Sequence, residues 1–136
     1  MQSGCAGVEP RLDVAALFRR YGAMSKRHDV SITAGAERDI AEIVEYIDVS
    51  DSPQNADRVL DGLLAASGKL AELPERGSHP RELLALGIRD FRQVFFKPYR
   101  IVYRTVAGNV FVYLVADGRR DMQTLLARRL IDERME

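Results

Sequence analysis

A chain of 136 residues, 46% hydrophobic and 29% charged, is long enough for one domain with its own core and has an ordinary soluble composition. Twenty basic and twenty acidic residues cancel, so total charge argues neither for nucleic acid nor for a membrane surface. A single cysteine, Cys5, excludes an internal disulfide or a cysteine metal cluster and fits a reducing cytosol, and no apolar run approaches the ~20 residues that span a bilayer.

Met1 to Asp29 read as an N-terminal extension. The opening MQSGCAGVEP has neither a basic start nor a sustained apolar core, so no secretory signal is expected. Arg11 to Tyr21 has the spacing of a short helix, and Met24 is a candidate translation start. Residues 30–136 then form the main domain. Val30 to Thr33 predicts a short edge strand. Thr33 is placed to cap a helix whose apolar stripe is Ala36, Ile40, Ile43, Val44 and Ile47, with Glu37 and Asp39 near its positive end. Ser52 as cap and Pro53 at the first helical position start a second helix with the stripe Ala56, Val59, Leu60, Leu63, Leu64, Ser67 and Leu70, stopped by Pro74. The short turn between the two predicts a helical hairpin. Its outer face is acidic, with eight acids against two bases from Ala36 to Asp61.

Pro74 to Gly87 reads as a loop with one helical turn at Glu82 to Leu86. The only histidines, His28 and His79, lie in loops without ligand-like spacing, so no metal site is expected. Ile88 to Leu130 organises the chain. Phe91 to Ala116 is rich in β-branched and aromatic residues, and the short breaks at Phe96-Lys97-Pro98 and Ala107-Gly108-Asn109 predict hairpins. Asp117-Gly118-Arg119-Arg120-Asp121 is a turn, and Arg120 to Ile131 a closing helix carrying Met122, Leu125, Leu126 and Leu130 on one face. The order β, α, α, β, β, β, α predicts an α+β domain of two layers, an antiparallel sheet with a helical hairpin on one face and a short C-terminal helix.

Arg89, Arg92, Lys97, Arg100, Arg104, Arg119 and Arg120 crowd the sheet region. Guanidinium groups from neighbouring strands offer bidentate donors to a phosphate and can stabilise a phosphoryl-transfer transition state without a metal. Phe91, Phe95, Phe96, Tyr99 and Tyr103 are candidates to stack on bases, although strand aromatics are more often core. The binding candidates are Arg100, Arg104, Arg119, Arg120, Tyr99 and Tyr103.

Four stretches carry a family likeness: ITAGAERDIAEIVEYI, the hairpin end KLAELPERG, the strand FFKPYRIVYR, and VADGRRDMQTLLARRL. From Val30 onward the chain resembles the RelE/ParE superfamily of bacterial type II toxins, also known as plasmid stabilisation proteins. The resemblance implies a cytoplasmic toxin without a cofactor, silenced by a cognate antitoxin that wraps it, the pair repressing its own operon. Operator DNA would then be contacted only through the antitoxin. RelE-like members are ribosome-dependent mRNA endonucleases, whereas ParE-like members poison DNA gyrase. On the residues of the nuclease set, Arg100 and Arg120 match, Arg92 stands near one lysine position, Val94 stands near the other, and Leu126 stands at the tyrosine. Losing the tyrosine removes a general acid–base or a stacking platform. The long helical hairpin and the RRDMQTLLARRL ending also look more like ParE. The expectation is a gyrase inhibitor that performs no catalysis. The alternative is an mRNA interferase acting through Arg92, Arg100 and Arg120, recovered if Tyr99 or Tyr103 projects beside them; a decayed toxin that only binds its antitoxin is a third. The antitoxin is expected on the basic sheet region and the apolar groove beside the hairpin, charge attracting its acidic, disordered segment.

Overall fold

A computed structural model describes residues 29–135. The helix expected at Arg11 to Tyr21, the start at Met24, and the side chains of Leu130 and Arg134 lie outside the described residues. The elements are β1 (Val30–Ile32), α1 (Ala34–Ser50), α2 (Pro53–Gly68), a 3-10 turn (Lys69–Ala71), α3 (Arg81–Leu84), β2 (Phe91–Phe96), β3 (Tyr99–Val106), β4 (Asn109–Asp117) and α4 (Met122–Met135).

Local chemistry sets most boundaries. Thr33 Oγ1 accepts the Ala36 amide at 3.3 Å and also donates to Val112 O at 3.0 Å, so one hydroxyl caps α1 and ties its start to β4. Ser52 Oγ accepts the Asn55 amide at 3.1 Å, with Pro53 at the first helical position where its missing amide costs nothing. α2 ends at Gly68, earlier than Pro74 requires, because the chain tightens into the 3-10 turn that carries Leu70 into the core. Between β3 and β4 both Ala107 (φ 53) and Gly108 (φ 84) are left-handed, as a tight hairpin demands.

The sheet order is β1-β4-β3-β2. The two hairpin pairings are antiparallel, as expected, but β1 lies parallel to β4, making the sheet mixed. The whole helical hairpin intervenes between these strands, and a strand left behind by such a crossover can be rejoined in parallel. Val102 pairs with Leu114 and Tyr103 with Val112, so Tyr113 is an extra residue in β4, a bulge.

The hairpin packs on one face of the sheet. Ile40, Leu63, Leu64 and Leu70 meet Ile101, Tyr103, Val110, Val112 and Val115 in the main core. β4 is apolar on both sides, however, and alternation sends Leu114 and Ala116 the other way. There α3 and α4 bring Leu83, Met122 and Leu126 onto Phe91, Val102 and Leu114 in a smaller second cluster. The expected two layers are therefore joined by a partial third, needed because β4 exposes an apolar row on the face the hairpin leaves open. Among the described residues no helix is long and apolar enough to cross a membrane.

Candidate functional site

The sheet arginines do not converge. In β2, Phe91 and Gln93 face the second cluster while Arg92, Val94 and Phe96 face the hairpin side. Arg92 therefore lies on the opposite face from Arg100. It donates to Gly77 O at 2.8 Å and Glu75 O at 3.3 Å, and so holds the loop that follows the hairpin.

Arg100, on the second face, makes a bidentate pair with Glu82 of α3 (3.0 and 2.9 Å) and also donates to Gln93 Oε1 at 2.9 Å. Its side chain is only 13% exposed. The guanidinium holds the Glu82 carboxyl below its ordinary range, hydrogen bonding outweighing the opposing effect of burial. Arg104 lies 5.7 Å from the centroid of the Phe91 ring, its direct partner across the strands, and Phe91 makes an edge contact with Tyr113 (5.5 Å, 72°). All three sheet arginines thus have intramolecular partners.

Tyr103 is fully buried. Its hydroxyl donates to Pro74 O at 2.7 Å and accepts the Gly77 amide at 3.1 Å, and burial raises its pKa. It anchors the loop and has no face to offer a base, which removes it from the stacking candidates. Tyr99 faces the hairpin side, away from Arg100, and packs against the main core; burial and the nearby Asp117 charge raise its pKa. Leu126 is 2% exposed in the second cluster, so an apolar residue fills the position at which a nuclease would need a tyrosine.

Three solvent-facing cations of the turns gather at one end of the sheet. The Gly118 amide donates to Pro98 O at 2.8 Å, fastening the β4–α4 turn beside the β2–β3 turn. Lys97, Arg119 and Arg120 are exposed on this tip. Arg119, 81% exposed, forks onto Asp117 (2.9 and 2.6 Å) and holds that carboxyl at about 2. Asp121 then caps α4 through Thr124, as its place in the turn suggests. Of the residues singled out in the sequence, the structure brings together Tyr99, Arg119 and Arg120 at the tip and separates them from Arg92 and Arg104.

The pairing of Asp39 with Arg129 escaped the sequence reading, which placed Asp39 only near the positive end of its helix. Where β1 ends, Asp39 Oδ2 accepts the Val115 amide at 3.0 Å, while Arg129 grips both Asp39 oxygens (3.0 and 2.8 Å) and Tyr113 O at 3.0 Å. The pair seals the strand edge beside the bulge and ties α1 to α4. Asp39 falls three residues after Ala36, within the apolar stripe, and a lone acid on a core-facing stripe is the signal that could have found it.

Solved structures include a similar fold, the "Chromosomal ParDE TA system from P. aeruginosa", with TM-score 0.57 and 16% identity over 68% of this chain and 98% of that one. No curated protein matches the sequence. Residues 30–122 match the family described as "ParE toxin of type II toxin-antitoxin system, parDE". With more than half of the chain matched, from β1 through the start of α4, this protein belongs to the ParE toxin family of type II toxin–antitoxin systems.

Proposed function

We propose that this toxin acts in the cytoplasm by trapping DNA gyrase on DNA, without catalysis of its own, and that a cognate antitoxin neutralises it. The observation that carries this reading is the scattering of the would-be nuclease set. Arg92 and Arg100 lie on opposite faces of the sheet, Arg100 is engaged by Glu82 and Gln93, and Leu126 is core. Acid–base cleavage of RNA needs its groups within hydrogen-bond reach of one phosphodiester, and this arrangement offers no such focus. The exposed Lys97, Arg119 and Arg120 suit a contact surface for a large charged target.

The test is a cleavage-complex assay with purified toxin, gyrase and supercoiled plasmid. Linear, protein-linked DNA that disappears on adding antitoxin is the expected outcome. Folded, growth-inhibitory toxin that leaves gyrase untouched but cuts ribosome-bound mRNA would overturn the proposal in favour of the interferase.

A further inference from the structure

Two turns meet at the end of the sheet that carries Lys97, Arg119 and Arg120. β3 begins at Tyr99 and β4 ends at its cross-strand partner Asp117, so the β2–β3 turn and the β4–α4 turn leave the sheet side by side. The Gly118 amide donates to Pro98 O at 2.8 Å, and a Cβ on Gly118 would lie 3.3 Å from that same oxygen, so glycine permits the close approach. Asp117 then organises the second turn. Its carbonyl accepts the Arg120 amide at 3.1 Å, Oδ1 accepts the Arg119 amide and Nε, each at 2.9 Å, and Oδ2 accepts Nη2 at 2.6 Å. Hydrogen bonding to Arg119 keeps this carboxylate ionised, its pKa held at about 2.

Stability does not explain this pair. Arg119 is 81% exposed, and ion pairs open to water contribute little to folding. What the pair does is fix a direction. It uses the Nε hydrogen and one Nη2 hydrogen; among the described residues nothing else bonds the guanidinium, so Nη1 and the second Nη2 hydrogen remain for a ligand. A long cation that would lose rotamer freedom on binding has already lost it. Lys97 and Arg120 stand on the same two turns, exposed, and among the described residues their side chains make no hydrogen bond or ion pair. Apart from Pro98, no apolar side chain is exposed on either turn. Protein interfaces are anchored by buried apolar and aromatic side chains, which this tip lacks. Nucleic-acid backbones are held chiefly by cations and polar donors, which it has.

Resting on the reading of this chain as a toxin that traps gyrase, we propose that the tip binds the DNA of the trapped complex. Asp117 is a positioning residue that presents the Arg119 fork to a backbone phosphate, and Lys97 and Arg120 take neighbouring phosphates. A contact to phosphates alone reads no base, so it is indifferent to sequence. The site is weak by itself, since on these turns Asp117 and Asp121 oppose Lys97, Arg119 and Arg120 and leave a net charge of +1. It adds to a grip on DNA that gyrase already holds.

The experiment compares the toxin with Asp117→Asn, with Arg119→Lys and with Lys97→Glu combined with Arg120→Glu, each checked for unchanged thermal unfolding. Binding to purified gyrase is measured with and without a DNA duplex, and trapping is read from the linear, protein-linked DNA formed on supercoiled plasmid. Asp117→Asn decides most, because it makes the tip more basic by one charge while releasing the fork. Simple attraction predicts tighter binding there, and positioning predicts weaker. The expected result is a loss of about tenfold in the affinity that the duplex adds, for Asp117→Asn and for Arg119→Lys alike. The double reversal should lose at least that much, and its salt dependence should be shallower by roughly two phosphate contacts. Affinity for gyrase without the duplex should stay at the wild-type value. An Asp117→Asn toxin that binds and traps as well as wild type, or better, would overturn the inference. Equal losses with and without the duplex would place the tip on an acidic surface of gyrase and overturn it too. In both cases trapping by the wild type would leave the toxin reading intact. Wild-type toxin that is folded and growth-inhibitory but traps no gyrase would remove that reading and the inference with it.

Discussion

The two faces of the sheet use the same strands for different ends. Under the hairpin, Ile40, Leu63, Leu64, Ile101 and Val112 are sealed from water in a continuous apolar layer whose largest side chain, Tyr103, has both hydroxyl bonds satisfied. On the other face a smaller cluster shares its area with Arg100, Glu82, Gln93 and Arg104. Stability on the first face comes from area removed from water. On the second it also depends on guanidinium pairing, so Arg100, which reads as part of a ligand site, serves to hold α3 through Glu82. Lys97, Arg119 and Arg120 of the turns stay exposed to solvent, Arg119 even while paired with Asp117.

That contrast can be tested from its largest effect downward. Leu63→Ala should destabilise by about 2–5 kcal/mol in denaturant unfolding, because the packed hairpin face cannot collapse around the cavity. Leu126→Ala, in the smaller cluster, should fall at the low end of that range, and equal costs would break the comparison. Arg100→Met should cost roughly 1.5–3 kcal/mol by stranding Glu82 and Gln93. If it instead left stability unchanged while abolishing toxicity, Arg100 would be a contact residue after all.

Acid should weaken the second face selectively. Glu82 has a folded pKa below its ordinary 4.5, so its contribution is complete above that value and is lost as pH falls through the depressed folded value. Stability measured from pH 6 down to pH 3 should therefore fall less steeply in Glu82→Gln than in wild type; parallel curves would remove the pair from the account. Ala107→Asn should gain about 0.5–1 kcal/mol in thermal unfolding, since asparagine tolerates the left-handed turn better than alanine. Smallest of all, Arg119→Ala should leave thermal unfolding essentially unchanged, its ion pair being on the surface. A marked loss of gyrase trapping in that variant would mark the tip as a contact surface.

Much of the fold was legible because its signals are local. Thr33 and Ser52 stand one residue ahead of the helices they cap, Pro53 begins the second, and the apolar spacing of α1 and α2 names their buried faces. The site was far less legible. Whether Arg92 and Arg100 share a face depends on how β2 registers against β3, and Tyr103 is removed from binding by Gly77 and Pro74, which lie 26 and 29 residues away.

By itself the chain determined the helical hairpin, the run of three strands, the closing helix and the family they belong to, because periodicity, caps and turn residues act between near neighbours. Only the tertiary structure decided that β1 runs parallel to β4, that α3 and α4 close the second face, that Asp39 and Arg129 seal the edge, and that the strand arginines are bound internally. Those outcomes depend on groups far apart in the chain, whose pairing no local preference encodes.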